Sequence, residues 1–502
     1  MNYGELKELN TIGKLKNSGY CPKSVKNEMR DNLIKFIQEK KNPFNNIIGF
    51  DDTVIPDLQT AILSRHNIIL LGLRGQAKTK IARLMVKLLD EFIPVVKGSE
   101  LNDNPLEPIS RYAIDLIKEK GDDTPVEWIH RETRYTEKLA TPDVTIADLI
   151  GDVDPIKAAA LKLPYSDERV IHFGLIPRSH RGIFVINELP DLQARIQVSL
   201  FNILEEKDIQ IRGFKIRMPL DVQFIFTANP EDYTNRGSIV TPLKDRIDSQ
   251  ILTHYPHNIE ISKKITQQEA VLTEAQKENI AIPSLMKELV EQISFEARDS
   301  EYVDYKSGVS ARLTISAYEN MISFAERRLL KNNEEKTMIR ISDLSGVIPS
   351  VTGKVELVYE GEQEGPAKVA QILVNKAVRT VFKSVYPDPD KVKTNESPNP
   401  FQKVIEWFNK GNHTDILRDF SDKEYKSALL KVPGLRETAE NLVKIPVNGE
   451  IFIYMELLLQ GLSEFSLISK SQLERGVQFK DIFSSMFSKE EDEEFDDNQG
   501  YY

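Results

Sequence analysis

Asn67-Ile68-Ile69-Leu70-Leu71-Gly72-Leu73-Arg74-Gly75-Gln76-Ala77-Lys78-Thr79 passes from an apolar run through a glycine turn to a lysine and a hydroxyl residue. The apolar run predicts a buried strand. Ile81, Leu84, Met85, Leu88 and Leu89 then share one helical face, so a helix is expected to follow the turn. Backbone N–H groups of a tight loop and of a helix N-terminus can wrap a polyphosphate. In that setting a lysine meets the β- and γ-phosphate oxygens and a hydroxyl binds Mg²⁺. Gly72, Leu73, Arg74, Gly75, Gln76, Ala77, Lys78 and Thr79 are therefore the candidate phosphate loop. Ala77 stands where the pattern G-x-x-x-x-G-K-[ST] has glycine, and its methyl group narrows the permitted backbone angles.

Working outward, three more apolar runs read as strands: Gly182–Ile186, Val222–Thr227 and Gln250–His254. Runs that are apolar throughout suit a parallel sheet covered on both faces, and ligands bind such sheets at the carboxyl ends of the strands. Gly182-Ile183-Phe184-Val185-Ile186 delivers Asn187 and Glu188 to that edge. Glu188 is placed to polarise an attacking water. Asn187 occupies a position normally held by a Mg²⁺-binding aspartate, and an amide there predicts weaker Mg²⁺ binding. Phe224-Ile225-Phe226-Thr227-Ala228 ends in Asn229, whose amide can bond a γ-phosphate or the water. Leu243-Lys244-Asp245-Arg246 places an arginine just before the last strand, where it can reach a neighbouring subunit's phosphate. Gly308-Val309-Ser310-Ala311-Arg312 opens a helix further on, and Arg312 can close over the same phosphates. Each motif alone has an ordinary structural explanation. Their order along one chain is the order of a single ATP site.

With those residues in place, the chain resembles the AAA+ ATPase subunit of magnesium chelatase and the related MoxR-type ATPases, from about Ile47 to Leu330. Ile47-Ile48-Gly49-Phe50-Asp51 is similar to the family's entry into its first helix, and Asp148–Asp154 to the segment leading into an inserted hairpin. His172–Pro177 with His180-Arg181-Gly182 resembles the return to the strand before Asn187. Leu204–Lys207 followed by Ile209–Arg217 resembles a second inserted hairpin. The resemblance implies ATP and Mg²⁺ as cofactors and a ring, hexameric in the family, with Arg246 acting in trans and Arg312 in cis. It also implies a partner with a von Willebrand factor A domain, and a chelatase large subunit or another protein client.

The expected architecture is α/β: a helical N-terminal segment (1–45), an AAA+ core with hairpin inserts (46–257), a helical lid (258–340), a mostly helical extension (341–487) and an acidic tail (488–502). Val351–Leu357 reads as extended and Tyr386–Pro400, with four prolines, as a linker. At 502 residues, with 40% hydrophobic and 28% charged side chains, the chain has the make-up of a soluble multidomain protein. No apolar run is long enough for a bilayer, and no export signal is visible. A single cysteine, Cys21, fits a reducing cytoplasm and leaves no cysteine set for zinc. The net charge of −11 argues against nonspecific nucleic-acid binding. Two other readings stay in view. One is a nucleotide-gated scaffold with little turnover, suggested by Ala77 and Asn187. The other is a sigma-54 activator, opposed by the lack of any Gly-Ala-Phe-Thr-Gly-Ala loop.

Overall fold

A computed structural model describes residues 3–165, 167–209, 211, 218–230, 238–392, 399–443, 449–473 and 475–482. The chain divides into two compact units, Met1–Tyr255 and Pro256–Tyr502.

In the first unit the strands are β1 (Ile68–Leu71), β2 (Phe92–Val96), β3 (Val126–His130), β4 (Tyr135–Leu139), β5 (Gly151–Val153), β6 (Ile171–Phe173), β7 (Gly182–Asn187), β8 (Asp208–Ile209), β9 (Met218–Pro219), β10 (Val222–Ala228) and β11 (Ser249–Leu252). Five form the central sheet in the order β11-β1-β10-β7-β4, every pair parallel. Period-2 alternation divides the apolar side chains between two cores. Ile69, Leu71, Phe184, Ile186, Phe224 and Phe226 enter one, while Ile68, Leu70, Ile183, Val185, Ile225 and Ile251 enter the other. This two-sided burial is why the central strands carry no polar alternation.

The edge strand β4, Tyr-Thr-Glu-Lys-Leu, was not among the expected strands. It is only half-buried, and a strand covered on one side has no need of an unbroken apolar run. The last expected strand begins one residue earlier than the reading and stops at Leu252. The expected helix after the loop runs from Lys78 to Leu84 and tightens into a 3₁₀ turn over Met85–Leu88.

The N-terminal segment is part of this unit. The helix Val25–Gln38 buries Val25, Met29 and Leu33 in the same core as Ile68 and Leu70. Glu28 on this helix takes two 2.7 Å hydrogen bonds from Arg134, and both side chains are almost wholly buried. Removing one partner of such a pair strands a buried charge, typically at a cost of about 3–5 kcal/mol. Two inserts interrupt the sheet. β5 and β6 pair antiparallel around the helix Pro155–Leu161, and β8 pairs with β9. Of the second expected hairpin, residues 210 and 212–217 lie outside the described residues.

The second unit is mainly helical. Its longest helices, Arg312–Lys331 and Pro366–Val385, share one core with Ser284–Arg298 and Ile451–Glu464. That core is continuous from Ile280 to Phe479. The expected extended segment Val351–Leu357 is corrected at its start, because Val351 and Thr352 end the helix Ile348–Thr352. The C-terminal region is also less helical than expected. Thr414–Leu417, Ser469–Leu473 and Gly476–Lys480 form a three-stranded antiparallel sheet, whose polar, half-exposed sequences carry little apolar signal. Within the expected linker, Pro389–Val392 forms one helical turn and 393–398 lie outside the described residues, as does the acidic tail.

Candidate nucleotide site

β1, β10 and β7 are neighbours in the sheet, so their carboxyl ends present Lys78, Asn229 and Glu188 along one edge. Gly72 continues β1 by donating its N–H to Ala228 O at 3.2 Å. No side chain fits there: a Cβ on Gly72 would stand 2.0 Å from Thr253 Oγ1 and 2.2 Å from Gln76 Oε1. The loop is held from beneath by the segment after β11. Thr253 donates its N–H to Leu71 O at 2.8 Å and its hydroxyl to the buried Gln76 Oε1 at 2.7 Å. The Tyr255 hydroxyl donates to Arg74 O at 2.9 Å.

Gly75 and Ala77 both lie in the left-handed region, with φ of 76° and 56°. Ala77 thus adopts the backbone conformation that glycine takes without strain. The turn leads directly into the helix, with Lys78 and Thr79 as its first two residues. The Lys78 ammonium donates to Gly72 O, to Leu73 O at 2.9 Å and to Asn229 Oδ1 at 2.8 Å. Its charge is held at the mouth of the loop by oxygens that phosphate oxygens can replace.

Glu188 also has a left-handed backbone, with φ of 59°. Its N–H donates to Thr227 Oγ1 at 3.1 Å, and the Thr227 hydroxyl donates to Asn187 Oδ1 at 3.0 Å. Asn187 is therefore engaged sideways, along the sheet. Beside it on β4, Glu137 receives two hydrogen bonds from Arg83, at 2.8 and 2.9 Å, and one from the Tyr135 hydroxyl at 2.8 Å. The Arg83 bonds hold the Glu137 carboxyl below its ordinary range against partial desolvation, and Tyr135 and the Asn187 amide add to them. Burial, followed by this carboxylate, pushes the Tyr135 hydroxyl upward.

Arg246 ends the short helix Thr241–Asp245 and is engaged within its own unit. Its guanidinium meets Glu205 at 2.7 Å and Pro242 O at 2.9 Å, above the Phe201 ring at 4.9 Å. Arg312 belongs to the second unit, where it is exposed and opens the helix Arg312–Lys331 with its N–H on Ser310 Oγ at 3.1 Å. The first unit thus gathers the loop, Lys78, Thr79, Asn187, Glu188 and Asn229, and holds Arg246 on a local carboxylate.

Sequence reasoning missed Thr253, Tyr255 and Glu137. Thr253 lay within the expected strand Gln250–His254 and Tyr255 directly after it, neither with a role, and Glu137 lies on the unrecognised edge strand. Thr227 was quoted within its strand without a role, although a hydroxyl among Phe, Ile and Ala is itself a signal.

The loop geometry fits a nucleotide's phosphates: a turn too tight for a side chain, a cation at its mouth and a helix N-terminus behind it. Mg²⁺ usually keeps several waters and binds through one or two carboxylates plus the substrate's phosphates. The Thr79 hydroxyl beside Lys78 suits an ion brought in on the nucleotide.

Residues 127–247 match the family model of the AAA domain, dynein-related subfamily. This chain carries an AAA domain. The matched segment contains Asn187, Glu188, Asn229 and Arg246 and starts after the phosphate loop. The fold is the α/β AAA+ fold, a central parallel sheet flanked by helices, with a helical C-terminal region. The archaeal Lon protease of Thermococcus kodakarensis is 30% identical over 165 residues, covering 30% of this chain and 25% of that protein. The chain thus spans about a quarter of the length of that curated relative. Among solved structures, a chain of the complex between subunits BchI and BchD of magnesium chelatase is 17% identical, covers 64% of this chain and 98% of its own, and has a TM-score of 0.34. NtrX from Brucella abortus in complex with ADP is 13% identical, covers 64% of this chain and 61% of its own, and also has a TM-score of 0.34. Among the described residues, no helix is long and apolar enough to cross a membrane.

Proposed function

We propose that this chain is an ATP-hydrolysing AAA+ motor that remodels a protein partner. The observation that supports it most is the convergence at one sheet edge. Lys78 from the loop after β1 contacts Asn229 from β10 at 2.8 Å, with Glu188 delivered by the adjacent β7. Lys78 exchanges its loop carbonyls for phosphate oxygens when nucleotide binds. Asn229, already fixed by Lys78, is left facing the γ-phosphate, and Glu188 orients the attacking water. Thr79 and Asn187 would hold Mg²⁺, which supplies neutralisation of the charge on the β- and γ-oxygens.

Arg246 acts on a neighbouring copy's nucleotide in a hexameric ring, and Arg312 acts in cis. The contact of Arg246 with Glu205 does not oppose this. Their side chains are 28% and 56% exposed, and such pairs are worth about 0–1 kcal/mol. A phosphate in a desolvated interface competes easily with that. The resemblance to the chelatase ATPase subunit and MoxR-type proteins supports a von Willebrand A domain protein as partner, in metal insertion or protein maturation, in the cytoplasm.

The test is ATP turnover by the full chain beside Glu188→Gln. A clear difference between the two supports the motor. Identical rates, with nucleotide still bound, favour instead a nucleotide-gated scaffold, the reading supported by the sideways engagement of Asn187. Capture from extract with ATP-loaded Glu188→Gln then separates the clients. A von Willebrand A protein with a porphyrin-binding chelatase subunit means chelation, and the same protein without one means maturation.

A further inference from the structure

We infer that the second unit carries a binding site for a small oxyanion, a phosphate or a short carboxylate. It lies in the cavity between the three-stranded sheet of Thr414–Leu417, Ser469–Leu473 and Gly476–Lys480 and the helix Pro366–Val385. This site is separate from the phosphate loop and does not depend on the role given to that loop.

Two periodicities build the walls. In the sheet, Lys470 and Gln472 share a face, and the register sets Gln472 beside Val477 and Val477 beside Ile416. Arg418 comes two residues after Ile416, and its N–H on Arg475 O at 2.8 Å carries the pairing past the end of the strand. On the helix, Gln371, Val374, Asn375 and Val378 are spaced i, i+3, i+4 and i+7, which is one face. The turn Ile341–Val347 and the buried Gln460 complete the lining. The cavity has a volume of about 60 Å³. A water centre needs roughly 10–15 Å³, so the space suits a group of about four to six heavy atoms.

The polar side chains of this lining are set as donors. The Lys470 ammonium donates to Glu464 Oε1 at 2.8 Å, Gln460 Oε1 at 3.2 Å and Asn375 Oδ1 at 3.3 Å, which occupies its three N–H bonds. Gln371 donates to the same Asn375 oxygen at 2.9 Å. With both amide oxygens turned to Lys470, the NH₂ groups of Asn375 and Gln460 point away from it. Neither NH₂ group has a protein acceptor among the described residues. A buried donor without an acceptor is costly, and an oxyanion's oxygens meet that need. Arg418 adds the charge. It is half-buried, and among the described residues its guanidinium has no hydrogen bond or ion pair. Glu464 neutralises Lys470, and the carboxylates nearest Arg418 in the chain are engaged elsewhere. Asp415 accepts from Gln478, and Asp419 meets Arg327 and Lys331. A free guanidinium fork beside amide donors is the chemistry that holds a carboxylate or a phosphate.

Hydrogen exchange of the full chain, read peptide by peptide, tests the site with phosphate, acetate or chloride at one pH and ionic strength. Phosphate or acetate is expected to slow exchange saturably in Ile341–Val347 and Ser469–Lys480 beyond chloride, because a bound ligand suppresses local opening. An effect of phosphate alone assigns a phosphate ligand, and an effect of acetate alone a carboxylate. Arg418→Gln is expected to raise the half-saturating concentration at least tenfold. Arg418→Lys, which keeps the charge and loses the fork, should recover part of that loss. Exchange without added oxyanion stays at the wild-type level in both variants, which a merely structural role for Arg418 would not allow. Equal exchange in all three salts means that the cavity holds water only and overturns the proposal. Protection confined to Gly72–Thr79, or protection in the second unit that survives Arg418→Gln unchanged, overturns it as well. None of these outcomes removes the nucleotide site.

Discussion

The Lys78 ammonium donates to the Asn229 side-chain oxygen at 2.8 Å, joining the loop after β1 to the end of β10. The same group bonds two loop carbonyls, so Lys78 stabilises the shape of the loop as well as offering charge. Hydrogen bonds from a charged donor are worth about 1.5–3 kcal/mol each, so losing two to phosphate costs roughly a hundredfold or more in affinity. Lys78→Ala is expected to lose nucleotide binding to that extent in a fluorescent ATP titration. Asn229→Ala should instead keep binding and lose turnover. Wild-type affinity in Lys78→Ala would place the nucleotide elsewhere.

Ala77 holds a left-handed backbone at the turn into the helix. For a residue with a Cβ that conformation costs about 1–2 kcal/mol, while glycine gives back only about 0.4–1 kcal/mol through the unfolded chain's entropy. Ala77→Gly is therefore expected to stabilise the first unit by up to about 1 kcal/mol and to tighten nucleotide binding. Denaturant unfolding and the same titration check both effects. A destabilised variant would show that the methyl group makes a favourable contact.

What the sequence revealed and what it hid follow from the same physics. β1, β7 and β10 were legible because both faces of those strands are covered and their sequences are largely apolar, whereas the edge strand β11 buries only Ile251. The edge strand β4 shows half-buried Tyr135, Thr136, Glu137 and Lys138 instead, and with it Glu137 stayed hidden. The sheet formed by Thr414–Leu417, Ser469–Leu473 and Gly476–Lys480 was overlooked for a related reason, being built mostly of polar, partly exposed residues. Site residues were legible where chemistry demands a residue type at a chain position, as with Lys78 and Glu188. Their neighbours across the sheet, Thr227 and Glu137, become visible only when pairing brings distant segments together. The hold of Glu205 on Arg246 is of the same kind, spanning 41 positions.

In the second unit, Glu456 lies wholly buried in the helix Ile451–Glu464 and accepts from Ile341 N, Ser342 N and the Tyr425 hydroxyl. Burial outweighs those bonds and pushes its carboxyl up to about 7. A carboxyl raised in the folded state binds its proton more tightly there than in the unfolded chain. Its contribution is thus most favourable below the ordinary value of 4.5, declines as pH rises toward 7, and is level above that. The decline is on the order of 3 kcal/mol. Hydrogen exchange of the helix Ile451–Glu464 between those pH values should show the loss, and Glu456→Gln should flatten it. A slope of equal size in Glu456→Gln would assign it to another group.

Arg246 is the site residue whose proposed work requires leaving its present partner. Its contact with Glu205 is short but partly exposed, a weak hold by the usual measure of such pairs. Arg246→Ala is expected to spare ATP binding and to remove most turnover, since fingers of this kind are worth on the order of 10³–10⁵ in rate. Mixed with wild type, the variant should depress activity beyond simple dilution, because each defective finger silences a neighbour's site. Glu205→Gln removes the competing charge while leaving Arg246 in place, so it should raise turnover modestly at low protein concentration, where assembly is limiting. If the mixture follows dilution alone, Arg246 does not act across a subunit interface. If Glu205→Gln lowers turnover instead, the carboxylate is aiming the arginine and not restraining it.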